Sequence, residues 1–291
     1  MSYVKRILRK IRSEGVIKTS KAAGRFIQCS MHQPDWDFEL VPSVLEKIVQ
    51  EKQSVVIVQI GANVGNTNSD QLYGFLKKHC YETNSKGKTR CRAVLVEPVK
   101  HLFEQLTANY AGFEGVECEN VAIAEVAGTR NFYRLREGID LVAHGLPAFA
   151  HELGSFLPEN LTSLWSHDPG NETLRKFVDA NIVIDKIPCL TINDLLRKHG
   201  LSELDFLQID TEGYDYQVLR ALNFQEITPR YINYERIHLQ KDESRCRNML
   251  LNHHYNLHDH GQDTFCSLGL IQSPFKRWRE RAYNIWLNSI Y

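Results

Sequence analysis

At 291 residues, the chain is long enough to bury a sizeable core as one large domain, with or without an added subdomain. With 43% hydrophobic and 24% charged residues, it has the composition of an ordinary soluble globular protein, and no run approaches the roughly 18 apolar residues needed to span a bilayer. Basic and acidic residues balance at 35 each, but residues 1–30 hold eight Lys or Arg against Glu14 alone, leaving a formal −7 on residues 31–291. An acidic body of this kind argues against nucleic acid as a partner.

The first residues lack the apolar core of a secretory signal. The seven cysteines are scattered without a C-x-x-C pair, which argues against a zinc site or a disulfide framework and for a reducing, cytoplasmic setting. Residues 1–35 read as a basic leader ahead of a domain at 36–291. Within it Val4, Ile7, Leu8 and Ile11 have helix-like spacing, which suits peripheral contact with the anionic inner face of a membrane. A solvated leader is the competing expectation.

In chain order, Leu40, Val44, Leu45, Ile48 and Val49 predict a helix leading into a strand at Val55–Ile60. A helix over about 69–79 follows, then a polar loop at 82–88, a second strand at 93–96 and a helix from Val99 to Tyr110. Residues 116–123 read as the third strand, and Gly128-Thr129 turn the chain into a hairpin partner at 131–134. From 135 to about 180 the pattern fails: Pro147, Gly154, Pro158, Pro169 and Gly170 punctuate Phe149, Phe156 and Trp165, as in a lid-like insertion. Regularity returns at 182–189. Thr191 to Asp194 then reads as a capping box, followed by a strand at 204–209, a helix at 213–222 and a strand at 231–234. A helix at 245–252 and strands near 255–258 and 264–268 end the domain. Alternating short strands and helices predict an α/β fold: a Rossmann-like, mainly parallel sheet with helices on both faces and an antiparallel C-terminal hairpin.

In open sheets of this class, ligands bind beyond the carboxyl ends of the strands. The first exit is Gly61-Ala62-Asn63-Val64-Gly65-Asn66. Gly61 permits a sharp bend, and Gly65 removes a Cβ where backbone would approach a ligand. The dinucleotide fingerprint Gly-x-Gly-x-x-Gly is broken by Asn63, so the turn suits a phosphate-free adenosine ligand such as S-adenosylmethionine better than a pyrophosphate. The second exit is Glu97-Pro98; a carboxylate there can accept both ribose hydroxyls. The remaining exits are Asn120-Val121-Ala122, Asp210-Thr211-Glu212-Gly213 and Glu235-Arg236-Ile237-His238. Asp210, Glu212, Glu235 and His238 are therefore candidates for removing a substrate proton, and Asp210 with Glu212 for holding a divalent metal. Helix capping is the structural alternative for the two carboxylates after the fourth strand. His253, His254, His258 and His260 resemble a metal tract, but alternation with Tyr255 and Leu257 predicts a strand with its histidines pointing outward. Cys189 has no activating partner nearby in sequence.

Taken in order, Val58 to Gly65, Val96-Glu97-Pro98, Asn120 to Ile123, Leu190 to Leu196 and Asp205 to Gly213 resemble the FkbM-type methyltransferase family over roughly residues 53–270. The resemblance implies an S-adenosylmethionine-dependent class I methyltransferase acting on a hydroxyl of a sugar, glycan or small natural product. It implies that Gly61, Asn63 and Gly65 wrap the methionine part of the cofactor, and that Glu97 holds its ribose. Gly154-Ser155-Phe156 is similar to an element that sets Ser155 of the lid against the cofactor. The full cofactor set so expected is Gly61, Ala62, Asn63, Gly65, Asn66, Glu97, Asn120, Ala122 and Ser155. Two features depart from the family pattern: Gln208 replaces its usual lysine, and Tyr214-Asp215-Tyr216 follows Glu-Gly. A nicotinamide-dependent oxidoreductase and a non-catalytic scaffold at a membrane are the competing readings. The sequence leaves oligomeric state open.

Overall fold

The computed structural model describes residues 40–67, 70–81, 91–163 and 172–269. The basic leader, the polar loop at 82–88, and Trp165, Pro169 and Gly170 lie outside the described residues. The described residues include nineteen α-helices and β-strands. They are α1 (Leu40–Lys52), β1 (Val55–Ile60), α2 (Tyr73–Leu76), β2 (Cys91–Val96), α3 (Lys100–Asn109), β3 (Val116–Glu119), β4 (Ala122–Ile123), β5 (Gly128–Leu135), β6 (Gly154–Ser155), α4 (Pro158–Ser163), α5 (Glu172–Asn181), β7 (Ile182–Leu190), α6 (Ile192–Lys198), β8 (Phe206–Ile209), α7 (Asp215–Ala221), β9 (Tyr231–Glu235), α8 (Glu243–Asn252), β10 (Tyr255–His260) and β11 (Asp263–Leu268).

Seven strands form one sheet in the order β10-β11-β9-β8-β1-β2-β3. β3, β2, β1, β8 and β9 are mutually parallel, and β11 enters antiparallel between β9 and β10. This is the Rossmann-like order in which the chain reverses direction of travel next to β1, opening a crevice at the strand ends. Both faces are covered, so the inner strands are apolar on both sides. Val55 and Ile57 of β1, with Ala93 and Leu95 of β2 and Phe206 of β8, pack against Val44, Leu45 and Ile48 of α1 and Leu106 of α3. Val58, Ile60, Val94, Val96, Leu207 and Ile209 point the other way, onto Leu195 of α6, Val218 of α7 and Leu250 of α8. The period-two alternation of the strands thus makes two cores from one set of residues.

Several expectations are corrected. The helix foreseen at 69–79 starts at Tyr73, where Asp70 Oδ1 accepts the Leu72 and Tyr73 amides, and it continues as a π-turn at Lys77–Tyr81. The third strand divides after Glu119, because Asn120 turns back to donate to the carbonyls of Glu97 and Pro98. Ala122–Ile123 then joins a second sheet, β4-β7-β5-β6. β5 therefore pairs antiparallel with β7 along its whole length and not with β3. The irregular stretch expected at 135–180 contains β6, α4, α5 and two short 3-10 turns. Leu135, Leu141, Leu146, Ala150 and Val178 give it a small core of its own. Phe132, Ile187 and Cys189 bring the second sheet against Val99 and Leu102 at the start of α3, which sets it over the carboxyl ends of β1 and β2. Among the described residues, no helix is long and apolar enough to cross a membrane.

Replacing Leu95, wholly buried between strands and α3, by alanine is expected to cost about 2–5 kcal/mol, because the packed sheet cannot close the cavity. Val126→Ala, at a position 72% exposed, is expected to change stability by less than about 0.5 kcal/mol. Urea unfolding of the two variants checks both.

Candidate active site

The exits of β1 and β8 run so close that a side chain on Gly61 cannot exist. A Cβ there would lie 1.7 Å from the Asp210 carbonyl oxygen, and Gly61 holds φ +80°, a conformation that L side chains rarely adopt. The Asp210 amide donates to the Ile60 carbonyl, and the amides of Gly61 and Ala62 both donate to that of Val96. These bonds tie the ends of β1, β2 and β8 into one rim. Gly65 (φ +72°) has a different reason from the one expected: its missing Cβ would strike Tyr110 and Leu106 of α3, while the Tyr110 hydroxyl donates to the Gly65 carbonyl. The close approach at Gly65 is to a helix.

A single cleft of about 680 Å³, counting its solvent-open mouth, crosses this rim. Of the residues expected to hold a cofactor, Gly61, Asn63, Glu97 and Ala122 line it. The others lie outside its described lining. Ala62 is buried in the core under the sheet, and Asn66 is exposed. Asn120 clamps the exit of β2, and buried Ser155 accepts the Leu157 amide.

Glu97 is 5% exposed. One carboxylate oxygen accepts the Asn63 amide at 2.9 Å and the other the Val99 amide at 2.8 Å. Burial pushes its pKa up to about 7, and the two amides resist that rise. Each oxygen retains a lone pair, so the group can accept two further donors on adjacent carbons, as a ribose diol presents them.

Acidic groups crowd the β8 and β9 exits. Asp210 is exposed on the cleft wall, with Glu212, Asp215, Glu235 and Asp263 nearby. Desolvation, then Glu235, Glu212, Asp215 and Asp263, raise its pKa well above the ordinary carboxylate value. Glu212 also lines the cleft, whereas Glu235 and His238 sit behind it. His238 Nδ1 lies 2.7 Å from Glu235 and 3.2 Å from Glu212. Desolvation opposes the imidazolium, but bonds to the two carboxylates outweigh it and push the His238 pKa up to about 10. Burial pushes Glu235 up to about 7, against the pull of His238. The sequence pairs Asp210 with Glu212 as metal ligands; the donor atoms that converge in space belong to Glu212, Glu235 and His238.

Four participants escaped the sequence reading. Asp215, wholly buried at the start of α7, accepts from Thr211 and from the Glu235 amide, so it fastens the β8 exit to the β9 exit. It falls within the tripeptide that departs from the family pattern, which was the available signal. Glu152 of the insertion accepts from the Asn63 side-chain amide at 3.1 Å, and Asn160 donates to the Glu212 carbonyl at 2.7 Å. Arg130 stacks 4.6 Å over Phe156 and donates to the Tyr214 hydroxyl, stiffening an aromatic wall of the cleft. Glu152, Asn160 and Arg130 lie in or beside segments without a readable period. Gln208, in place of the family's lysine, accepts from Asn233, which also meets His260 and Asp263. His260 is thus buried, against the outward orientation expected, and burial lowers its pKa to about 4. His253 stacks on Phe224. The Cys189 thiol is buried and donates to a backbone carbonyl.

The charge of the cleft restricts what it can hold. Its described lining contains Glu97, Glu152, Asp210 and Glu212 but no Lys, Arg or His. A pyrophosphate would meet four carboxylates and no cationic side chain in the described lining, whereas a cationic sulfonium with an ammonium group would be attracted. A glycine hinge without a Cβ, a diol-accepting carboxylate and an acidic wall fit S-adenosylmethionine.

Comparison with known proteins is consistent with this geometry. Residues 59–263 match the family described as methyltransferase FkbM domain. No curated protein matches the chain. Among solved structures, a putative class I S-adenosylmethionine-dependent methyltransferase from Listeria monocytogenes is similar at 9% identity and a TM-score of 0.35, covering 93% of this chain and 68% of that one. A fibrillarin/Nop5p complex is similar at 9% identity and a TM-score of 0.31, covering 75% and 74%.

Glu97→Gln tests the strain stored at the second exit. In the folded wild type this carboxyl ionises near pH 7 and in the unfolded chain near 4.5, so stability present below pH 4.5 is lost as pH rises through 7. The variant has no such loss. Its unfolding free energy relative to wild type is expected to improve by roughly 2–3 kcal/mol between pH 4.5 and 7.5, read from denaturation series at fixed salt.

Proposed function

The chain belongs to the FkbM methyltransferase family, and from that premise we propose that it transfers a methyl group from S-adenosylmethionine to a hydroxyl oxygen of a sugar, glycan or small natural product. The observation that carries the reading is the cleft in which the Gly61 hinge, Glu97 and Asp210 stand on one continuous wall with no basic side chain in its described lining. The same feature counts against a nicotinamide dinucleotide, whose phosphates need donors or cations.

The cofactor, when bound, supplies an activated methyl on a sulfonium, the hard part of the chemistry. Glu97 would hold the ribose, and Gly61 and Asn63 the methionine end. Phe132, Phe156 and Tyr214 form the apolar wall that keeps water from the reacting atoms. Asp210 is the base: it takes the hydroxyl proton as the oxygen bonds to the methyl carbon and the carbon–sulfur bond breaks. Its crowded acidic surroundings make it a stronger base than an ordinary carboxylate, at the cost of remaining protonated to higher pH. Glu212, Glu235 and His238 act behind it by setting that field.

Calorimetry with S-adenosylhomocysteine tests the donor assignment: micromolar binding is expected, and no binding at millimolar ligand would favour a non-catalytic scaffold. Asp210→Asn is expected to retain the fold and cofactor affinity while losing at least about 10²-fold in turnover; full activity would remove it from the mechanism. In kcat/KM against pH, the acid limb is expected well above pH 4. Glu212→Gln removes a neighbouring negative charge, which lowers the Asp210 pKa and moves that limb to lower pH.

A further inference from the structure

The carboxylates behind the cleft surround one imidazole whose position is that of a ligand. Glu212 comes from the β8 exit, and Glu235 and His238 from the end of β9 and the turn after it. One ligating atom of each lies within 4.8 Å of the other two. The separations from His238 Nδ1 to the two carboxylate oxygens, 2.7 and 3.2 Å, are close to the roughly 3 Å between adjacent octahedral ligands of an ion with bonds of about 2.1 Å. Contraction or expansion of the group is therefore not required along those edges.

A second observation is independent of this spacing. Glu212 Oε2 is sealed from solvent and receives no hydrogen bond. His238 Nδ1 is near it but bonds to Glu235, and a single N–H cannot serve both oxygens well. That oxygen's cationic neighbour among the described residues is the imidazole 3.2 Å away, shared with Glu235, which leaves the oxygen able to take a bond to a metal ion. Among the described residues, His238 supplies the only ion pairs that Glu212 and Glu235 make, one positive charge for two negative ones.

We propose that Glu212, Glu235 and His238 bind one divalent first-row transition ion, each through one ligating atom. Two oxygens and one nitrogen suit the Mn²⁺ to Zn²⁺ series, whereas Ca²⁺ seeks six to eight oxygens and Mg²⁺ is seldom held by imidazole. Three protein ligands leave coordination positions open for water. Because Glu212 is shared with the cleft wall, the ion would sit directly behind the proposed reaction site and offset the negative field around Asp210. The site depends on donor geometry alone and stands whether or not the cleft takes an adenosyl ligand.

Mn²⁺ is the probe. Titration of metal-stripped wild-type protein, followed by loss of the free-Mn²⁺ paramagnetic resonance signal, is expected to give one bound equivalent that a tenfold excess of Mg²⁺ does not displace. Glu212→Gln and His238→Ala, each verified as folded by circular dichroism, are expected to weaken binding at least tenfold, and Glu104→Gln on the exposed face of α3 to leave it unchanged. Absence of binding in the wild type up to millimolar Mn²⁺, or unchanged affinity in both folded site variants, would overturn the assignment. Calorimetry with S-adenosylhomocysteine on the metal-stripped protein reads the methyl-donor assignment separately.

Discussion

The molecule's functional geometry depends on the contact between two strand ends. β1 and β8 are hydrogen-bonded neighbours, and their exits leave the sheet with Gly61 pressed against the Asp210 carbonyl. Only a residue without a Cβ, in a left-handed conformation, allows the two loops to part there. The parting opens the crevice and sends the first loop toward Glu97, the second toward the acidic cluster. The two loops that line the cleft are thus set apart by one backbone contact. Their spacing is fixed by the sheet and not by side-chain rotamers.

Around that contact the protein has gathered carboxylates where burial makes them expensive. Glu97, Asp215 and Glu235 are buried and have raised pKa values, chiefly through desolvation. A purely structural rim would not be built this way, since apolar or amide residues of the same size would be more stable. Groups whose environments push their titration away from ordinary values mark the working part of a fold. Here the lining residues among them share one sign, which selects a positively charged visitor. The second sheet and the insertion complete the enclosure: Glu152 and Asn160 reach from the insertion to opposite sides of the cleft, and Phe132 and Phe156 supply its apolar cover.

Most of the central sheet was legible because each strand is a short β-branched or aromatic run and each helix has a clear apolar stripe. The exits of β1, β2, β8 and β9 were legible for the same reason: once the strands are placed, the residues after them are fixed. What could not be read depends on distant pairing. An exit at Asn120 was readable, but nothing local says that Ala122–Ile123 joins another sheet, since Asn120 is held by hydrogen bonds to carbonyls more than twenty residues earlier. β5 seeks β7 across an insertion of over forty residues, and no local signal outranks the hairpin that adjacency suggests. Gly65 was correctly singled out as a close approach, but the neighbour is Tyr110, and sequence alone does not distinguish a ligand from a helix. Asp215 stood out only as part of a departure from the family pattern, and nothing local shows that it ties two exits together.

The account stands on an adenosyl ligand lying along the cleft from the Gly61 hinge to Glu97. The most direct measurement is a crystal structure with S-adenosylhomocysteine. It is predicted to show both ribose hydroxyls donating to the Glu97 carboxylate and the thioether sulfur turned toward Asp210. A ligand bound elsewhere, or a cleft left empty at saturating ligand, would contradict it.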